Sequence, residues 1–304
     1  TKEWSKKDIG SMRRDILSLI NPFAWEKDLR ISEDQIVDPG FNVTFETPEF
    51  EEFTGVFSSR YLEAAWCTLN GQVDNNGKVE LKIDTWQGAT DTLHHPFDKT
   101  FTLGPLGFRI YWFKRDTDDY KEFEFGISDV RKAGKEYGGV RVYYDDFRVF
   151  PYGESGNDWL GIDREKGART AVLSKYFETQ RKDLFRPLLL GPGNAQLIGA
   201  IFLSRKDNPN IIIAMSRDKL VENDAFFELH EIIKTAIQWM TIIYARETEE
   251  RRRIVRESKE ESTATTLDKI IDFVETAKKE ADSEEKAEAL RVIQDLVVTL
   301  EDEI

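Results

Sequence analysis

Residues Ala64 to Trp86 read AAWCTLNGQVDNNGKVELKIDTW, and this stretch decides the fold of the first part of the chain. Two runs of alternating apolar and polar residues flank the polar segment Asp74 to Gly77. An Asn-Gly pair between two such runs is a strong signal for an antiparallel hairpin. Val79, Leu81 and Ile83 fall on one face of the second run, because side chains alternate along a strand. The stretch therefore predicts a hairpin with one buried face.

The neighbouring segments extend this pattern into a β-rich part over residues 1–127. Phe108, Ile110 and Trp112 predict another strand, and the alternation over Phe41–Phe45 predicts one more. Ile9–Ile20 carries apolar residues at helical spacing and ends at an Asn-Pro pair, which predicts a helix.

The composition excludes several classes of protein. The chain has 304 residues, of which 40% are hydrophobic, so it can bury a core, and its formal net charge is −14. This charge argues against a general nucleic-acid binder, which needs a basic surface, and against binding to an anionic membrane. Cys67 is the only cysteine, so no internal disulfide is possible. With no apolar run of about 20 residues and a polar start, we expect a cytoplasmic protein, and a piece of a longer one.

Residues 128–246 predict a layer of strands and helices. A helix that Ser128 caps is expected to reach Lys135, and the Asp145-Asp146 pair is expected to turn a hairpin rather than bind a metal. Strands are predicted at Val140–Tyr144, Phe147–Phe150, Leu197–Leu203 and Ile211–Met215, and further helices at Ala171–Phe185 and Phe226–Ala245. This order of elements is typical of an α/β layer.

Residues 247–304 predict an amphipathic helical tail. The run Arg246–Glu261 is almost wholly charged, and its three consecutive arginines are balanced by nearby glutamates, which indicates a solvated helix face. Thr265–Asp268 fits a capping box that would open a second helix, and a third is predicted over Leu290–Leu300. Their apolar faces need a partner, so we expect a coiled coil that contacts an effector or a second copy in a homodimer.

Several short motifs favour ordinary structural roles. Gly191-Pro192-Gly193 lacks the lysine and the helix of a phosphate-binding loop, and a turn before the next strand is expected. The adjacent pair His94-His95 does not have the spacing that places two metal ligands on one helix face. His230 lies in the predicted helix Phe226–Ala245, where a single histidine is most often structural.

The segment Ser216-Arg217-Asp218-Lys219-Leu220 follows the apolar run Ile211–Met215 and has two interpretations. In the first, Ser216 caps or turns the chain and Arg217 pairs with a surface acid. In the second, the end of a strand holds Arg217 so that its guanidinium binds phosphate oxygens. Spacing alone leaves both open.

Two segments resemble a known family. GGVRVYYDDFRVFPYGESGNDWLGIDR, from Gly138 to Arg164, resembles the segment that follows the ATPase domain in bacterial ATP-binding proteins of the GHKL superfamily. This superfamily includes gyrase B, histidine kinases, MutL and the ninety-kilodalton heat-shock chaperones. The later AMSRDKL, from Ala214 to Leu220, is similar to a segment of the chaperone's middle domain, which also lies between a strand and a helix.

The resemblance implies an α+β fold: a two-layer transducer like domain 2 of ribosomal protein S5, with a β-rich N-terminal part and a helical or coiled-coil C-terminal extension. It implies that Arg217, beside Ser216, contacts the γ-phosphate of ATP bound by another domain. Lys206 is an alternative candidate for this phosphate contact, although it does not align with a residue of the family motif. Val221 and Asp218 depart from the glutamine and glutamate of the chaperone.

The resemblance also implies what this chain needs from elsewhere. It lacks the Asn-bearing helix, the D-x-G-x-G motif and the glycine-rich lid of a GHKL ATP-binding domain. We therefore expect that domain upstream of Thr1 in the same polypeptide, no ATP hydrolysis and no cofactor in this chain alone, and ATP and Mg²⁺ in the full-length protein. The alternatives are a non-enzymatic interaction or dimerisation module and a histidine kinase that uses His230.

Overall fold

The computed structural model describes most of the chain between residues 60 and 279. The described residues are 5, 8–9, 12, 60–86, 88–116, 120–121, 123, 126–145, 147–154, 156–169, 172–177, 187–215, 219–279, 288 and 291–293. The chain divides into two compact units, Thr1–Ile243 and Tyr244–Ile304. The predicted strand Phe41–Phe45 lies outside the described residues, as do most of the predicted helices Ile9–Ile20 and Leu290–Leu300.

The first unit contains one mixed sheet of seven strands. In chain order the strands are β1 (Cys67–Val73), β2 (Val79–Thr85), β3 (Thr90–His94), β4 (Leu106–Trp112), β5 (Gly139–Tyr144), β6 (Phe147–Val149) and β7 (Leu197–Leu203). Their order across the sheet is β3-β2-β1-β4-β7-β5-β6. Every neighbouring pair is antiparallel except β5 and β7, which run parallel. Strands from the predicted parts 1–127 and 128–246 thus share one sheet.

The hairpin predicted from Ala64 to Trp86 is confirmed. β1 and β2 pair from Val73↔Val79 to Cys67↔Thr85. The turn forms because the Asp74 carboxylate accepts hydrogen bonds from the backbone amides of Asn76 and Lys78, each 2.8 Å long. Gly77 has φ +68°, a left-handed conformation that glycine adopts without strain.

One face of the sheet is buried from β2 across to β5. Leu69 pairs with Ile83 on one side and with Ile110 on the other, and all three side chains are fully buried. The predicted strand at Phe108, Ile110 and Trp112 is confirmed as β4, and these three residues point to this same face. This continuous apolar face is the core of the first unit.

The opposite face carries a helix over its β7–β5 region. Helices lie at α1 (Arg60–Glu63), α2 (Ile127–Tyr137), α3 (Ile162–Ala168) and α4 (Asp224–Lys279), with short 3₁₀ turns at Pro187–Leu190 and Asn194–Gln196. Val130, Ala133 and Tyr137 of α2 share a buried cluster with Tyr143 and Ala200 of the sheet. The prediction that Ser128 caps this helix is wrong, because the Asp129 carboxylate accepts a hydrogen bond from the Gly126 amide and the helix begins one residue before Ser128.

Helix α4 begins at Asp224, where the Asn223 side chain accepts a 3.0 Å hydrogen bond from the Phe226 amide. The stripe predicted for the helix Phe226–Ala245 is buried, with Leu229, Ile232, Ile233, Ala236 and Met240 fully enclosed. The helix then continues through Thr265–Asp268 to Lys279, so a capping box that opens a new helix there is wrong. A capping-box sequence inside a longer helix has no exposed amides left to cap.

The charged run on α4 forms the solvated face that the sequence predicts. Each of the three consecutive arginines pairs with a glutamate on the same helix: Arg251 with Glu247, Arg252 with Glu249 and Arg253 with Glu250. Their side chains stay well exposed, so each pair contributes little stability. Along the described part of the chain, no helix combines the length and the apolar character that a membrane span requires.

The predicted strand Ile211–Met215 is wrong, and the predicted helix Ala171–Phe185 is wrong over residues 172–177, the part of it that the structure describes. Ile211–Met215 is not a core strand: only the isolated bridge Ile213↔Leu220 forms, Ile212 is 49% exposed, and Met215 is fully exposed. The run was predicted from its apolar composition, which does not guarantee burial. Of the predicted helix Ala171–Phe185, residues 172–174 are irregular and 175–177 form a single 3₁₀ turn.

Candidate functional site

The segment that carries Arg217 is attached to a short, well-anchored hairpin. Ser216, Arg217 and Asp218 themselves lie outside the described residues. On either side of them, the amide of Ala214 donates to the carbonyl of Lys219 and the amide of Val221 donates to that of Ile212, both at 2.7 Å. The predicted role of Ser216 and Arg217 therefore stays a prediction.

This hairpin is held against the segment that follows β6. Leu220 is buried, and its amide donates a 3.1 Å hydrogen bond to the hydroxyl of Tyr152. Tyr152 belongs to the P-Y-G core of the first resemblance segment. The two segments on which the resemblance rests are thus in direct contact.

Lys206 lies in a tight loop that follows β7. The Ser204 hydroxyl donates to the Asp207 carboxylate at 2.6 Å and accepts from the Asp207 amide at 3.1 Å. The amide of Asn208 donates to the carbonyl of Ser204, which closes the turn. Arg205 and Lys206 are both exposed, and the Arg205 guanidinium lies 6.0 Å from the ring centre of Tyr144. We call Ser204–Asn208 the basic loop.

The basic loop is fixed to two other parts of the sheet. The Arg205 amide donates a 2.8 Å hydrogen bond to the carboxylate of Asp145, in the turn between β5 and β6. The Asn208 side chain donates to the carbonyl of Pro105, just before β4. Asp145 and Pro105 are distant from the loop in the sequence and close to it in space. The backbone that carries Arg205 and Lys206 is therefore fixed to the sheet.

Tyr144 connects the basic loop to the hairpin. Its hydroxyl donates a 2.9 Å hydrogen bond to the carbonyl of Ile211 and lies 3.4 Å from that of Asn208. Burial is the main cause that raises the pKa of Tyr144, so this hydroxyl remains a donor at neutral pH. The sequence analysis missed this role of Tyr144 and read Asp145 only as a turn. The one signal was Asp145, which lies in the segment Gly138 to Arg164 that carries the resemblance.

We expect Tyr144→Phe to lower the free energy of unfolding by about 1–2 kcal/mol, because it leaves the buried carbonyl of Ile211 without its donor. Chemical denaturation of the variant measures this change. The matched control is Tyr176→Phe, whose hydroxyl bonds the carboxylates of Asp98 and Glu231 near the surface and leaves no buried group unpaired. An equal or smaller loss for Tyr144→Phe than for the control would contradict this role.

A second cluster of charged groups lies on β5 and β6. Arg141 is 2% exposed, and Arg148 is enclosed beside it with Glu154 as its ion-pair partner. Burial, and next the positive charge of Arg141, lower the pKa of Arg148 to about 10. The sequence analysis missed this cluster, although an arginine between the valines of an apolar run was a visible signal.

Each of the three histidines contacts another group of the protein. His94 contacts Glu80, and His95 accepts a hydrogen bond from the Val79 amide through Nδ1. His230 packs against the ring of Trp159, and burial is the main cause that lowers its pKa. Over the described ranges, no three histidine, cysteine or acidic side chains are grouped as metal ligands would be.

Comparisons with known proteins add no assignment to this geometry. The chain matches no protein-family model, and it matches no curated protein. The basic loop, the hairpin and the resemblance of the two segments are therefore the features that bear on function.

Proposed function

We propose that this chain is the transducer and helical portion of a GHKL-type ATPase. In this proposal it senses the γ-phosphate of ATP that an upstream domain of the same polypeptide binds, and it relays the nucleotide state to an effector or partner subunit. The mixed α+β sheet would be a transducer core like domain 2 of ribosomal protein S5, and the C-terminal helices would form a coiled coil. The observation that carries the proposal is the bracing of the basic loop and the hairpin by Tyr144.

A phosphate contact made in this way needs a cation on a rigid base. A side chain that is already positioned stabilises the developing charge of the transition state without reorganising at the moment of reaction. The basic loop meets this requirement through its bonds to Asp145 and Pro105, which leave Lys206 exposed at the end of β7. The hairpin that leads to Arg217 is anchored to the same region through Tyr144 and Tyr152.

The hairpin also offers a surface on which another domain could pack. Ile212, Met215 and Val221 all expose large apolar side chains around the Arg217 segment. Clustered apolar side chains in solvent are typical of protein–protein contacts. An ATP-binding domain that covers them would exclude water around the phosphate and strengthen its interaction with a cation.

ATP and Mg²⁺ belong to the upstream domain in this proposal. They would supply the transferred phosphoryl group and its charge-neutralising cation there. This chain would add a positive charge that reaches the γ-phosphate only when the two domains close. Helix α4 would carry the resulting change toward the C-terminal helices.

The test is the ATPase rate of the full-length polypeptide with Arg217→Ala and with Lys206→Ala. We expect Arg217→Ala to lower kcat by about 10²-fold, the typical loss for one transition-state contact. A comparable loss of kcat in Lys206→Ala alone would assign the γ-phosphate contact to Lys206 instead of Arg217. Lys219→Ala is the matched control, since it removes an exposed cation from the hairpin that carries Arg217. Undiminished turnover in both test variants, with the fold intact by circular dichroism, would overturn the sensing role.

A non-enzymatic interaction or dimerisation module is the second candidate. Ile254 and Val255 of helix α4 are 55% and 61% exposed within the charged run, and two adjacent apolar side chains there favour a helical partner. The gene sequence upstream of Thr1 separates the candidates. An Asn-bearing helix followed by D-x-G-x-G would support the ATPase, and their absence from the full-length protein would favour the module.

A further inference from the structure

Two arginines and a tyrosine meet on the helix-covered face of the sheet, at its β5–β6 edge. Arg141 and Tyr143 lie two residues apart on β5 and therefore point to the same face. Arg148 of β6 is the cross-strand partner of Tyr143. We call these three residues the arginine cluster.

Arg141 brings a charge into the protein interior, and none of the acidic side chains that the structure describes forms an ion pair with it. It is 2% exposed, and within the described ranges its Nε and Nη1 atoms have no hydrogen-bond acceptor. Its guanidinium lies 5.5 Å from the ring centre of Tyr137 of α2, a contact that satisfies none of its N–H groups. The hydroxyl of Tyr143 is equally buried and has no partner among the described residues. Buried donors of native proteins are nearly always paired, so these atoms call for an acceptor.

The geometry of the described residues leaves the charge of Arg141 without an acidic partner. Glu154 pairs with Arg148, whereas no acidic side chain within the described ranges pairs with Arg141. An isolated buried charge is costly unless an opposite charge and hydrogen bonds compensate it. The pKa of Arg148, lowered to about 10, still keeps the Arg148 guanidinium charged at neutral pH.

The chain is built closely around Arg141. Gly153 has φ +72°, and a Cβ atom at this position would lie 2.5 Å from Cγ of Arg141. The segment that carries Glu154 therefore packs directly on the arginine stem, and only glycine allows this approach. The same segment is closed by a hydrogen bond from the Glu154 amide to the carbonyl of Pro151.

We propose that Arg141, Arg148 and Tyr143 form a binding site for one small oxyanion of the phosphate class. Guanidinium and phenol groups are all donors here, and a tetrahedral oxyanion offers several acceptors to donors that converge on it. The ligand is small, because both arginine side chains are almost completely enclosed. Its negative charge balances the cluster. The site does not depend on whether the chain serves an ATPase.

The test is thermal unfolding of the chain in inorganic phosphate and in chloride at equal ionic strength. A ligand that binds only the folded state raises Tm, and phosphate at about ten times its Kd is expected to raise it by roughly 3 °C. Phosphate also stabilises proteins in general by exclusion from their surface. The measure is therefore the difference between the wild-type chain and Arg141→Met, which should lose the saturable part of the shift.

Three further arms make the result decisive. Tyr143→Phe removes one donor and should weaken phosphate binding about 10-fold in calorimetry without loss of the fold. Arg131→Met, on the exposed side of α2, is the matched control and should bind phosphate as the wild-type chain does. Sulfate should replace phosphate, whereas ATP should not, since it is too large for the enclosed donors.

The proposal also predicts how Arg141→Met changes stability when no phosphate is present. In chloride alone, Arg141→Met should be at least as stable as the wild-type chain, because the substitution removes a buried charge that has no ion-pair partner among the described residues. The proposal is overturned if phosphate shifts the wild-type chain and Arg141→Met equally. Protection by ATP but not by inorganic phosphate would overturn it as well.

Discussion

Replacing Phe108 with alanine is expected to lower the free energy of unfolding of the first unit by about 4 kcal/mol. Phe108 is fully buried in β4, with Gly71 of β1 and Ile201 of β7 as its cross-strand neighbours. Its ring covers Gly71 so closely that a Cβ atom there would lie 2.0 Å from the ring carbon Cζ. The substitution leaves a cavity beside a glycine that has no side chain to fill it.

Denaturation in urea measures this loss, and Phe147→Ala is the matched control. Phe147 lies in β6 of the same sheet but is 77% exposed, so its replacement should change stability by less than about 0.5 kcal/mol. A double-mutant cycle with Gly71→Ala sharpens the result, because Gly71→Ala should be costly with Phe108 present and tolerated with Phe108→Ala. Additive effects in this cycle would contradict the contact between ring and glycine.

Gly104→Ala is expected to cost about 3 kcal/mol, near the upper end for overpacking, and to act through the basic loop. A Cβ atom at Gly104 would lie 2.0 Å from the carbonyl oxygen of Asp207. The obstacle is backbone, which cannot rotate away as a side chain does. Either the segment before β4 or the loop that presents Lys206 has to move.

Gly167→Ala provides the control for this second substitution. Gly167 lies in helix α3, and a Cβ atom there would meet no atom within 4 Å. Alanine favours the helical conformation, so the control should be neutral or slightly stabilising. Equal stability of Gly104→Ala and the wild-type chain would show that the loop does not rest on this close contact.

Elements with local signals were predictable from the sequence. The Asp74–Gly77 turn and the alternation around it specified the β1–β2 hairpin, and the stripe on α4 specified its buried face. The pairing of β4 with β7, and the parallel pairing of β7 with β5, were not predictable, because both join segments that are distant in the chain. Ile211–Met215 was predicted to be buried on composition alone, although its exposure depends on where the neighbouring loops lie.

The candidate site was predictable only in part. Arg217 and Lys206 were selected from a resemblance and from charge, which say nothing about what holds a loop in place. The bracing by Tyr144 and Asp145 depends on contacts across about 60 residues of sequence. Arg141 was overlooked although it stands between two valines, because the sequence does not show which segments cover that face of β5.

Asp145 joins two turns at one end of the sheet through its backbone amide and its carboxylate. Its amide donates to the carbonyl of Leu203, and its carboxylate accepts from the amide of Arg205. We therefore expect the β5–β6 turn and the basic loop to open in a single cooperative step rather than as two independent surface loops. A ligand that holds either turn closed slows the exchange of amide hydrogens with solvent in both.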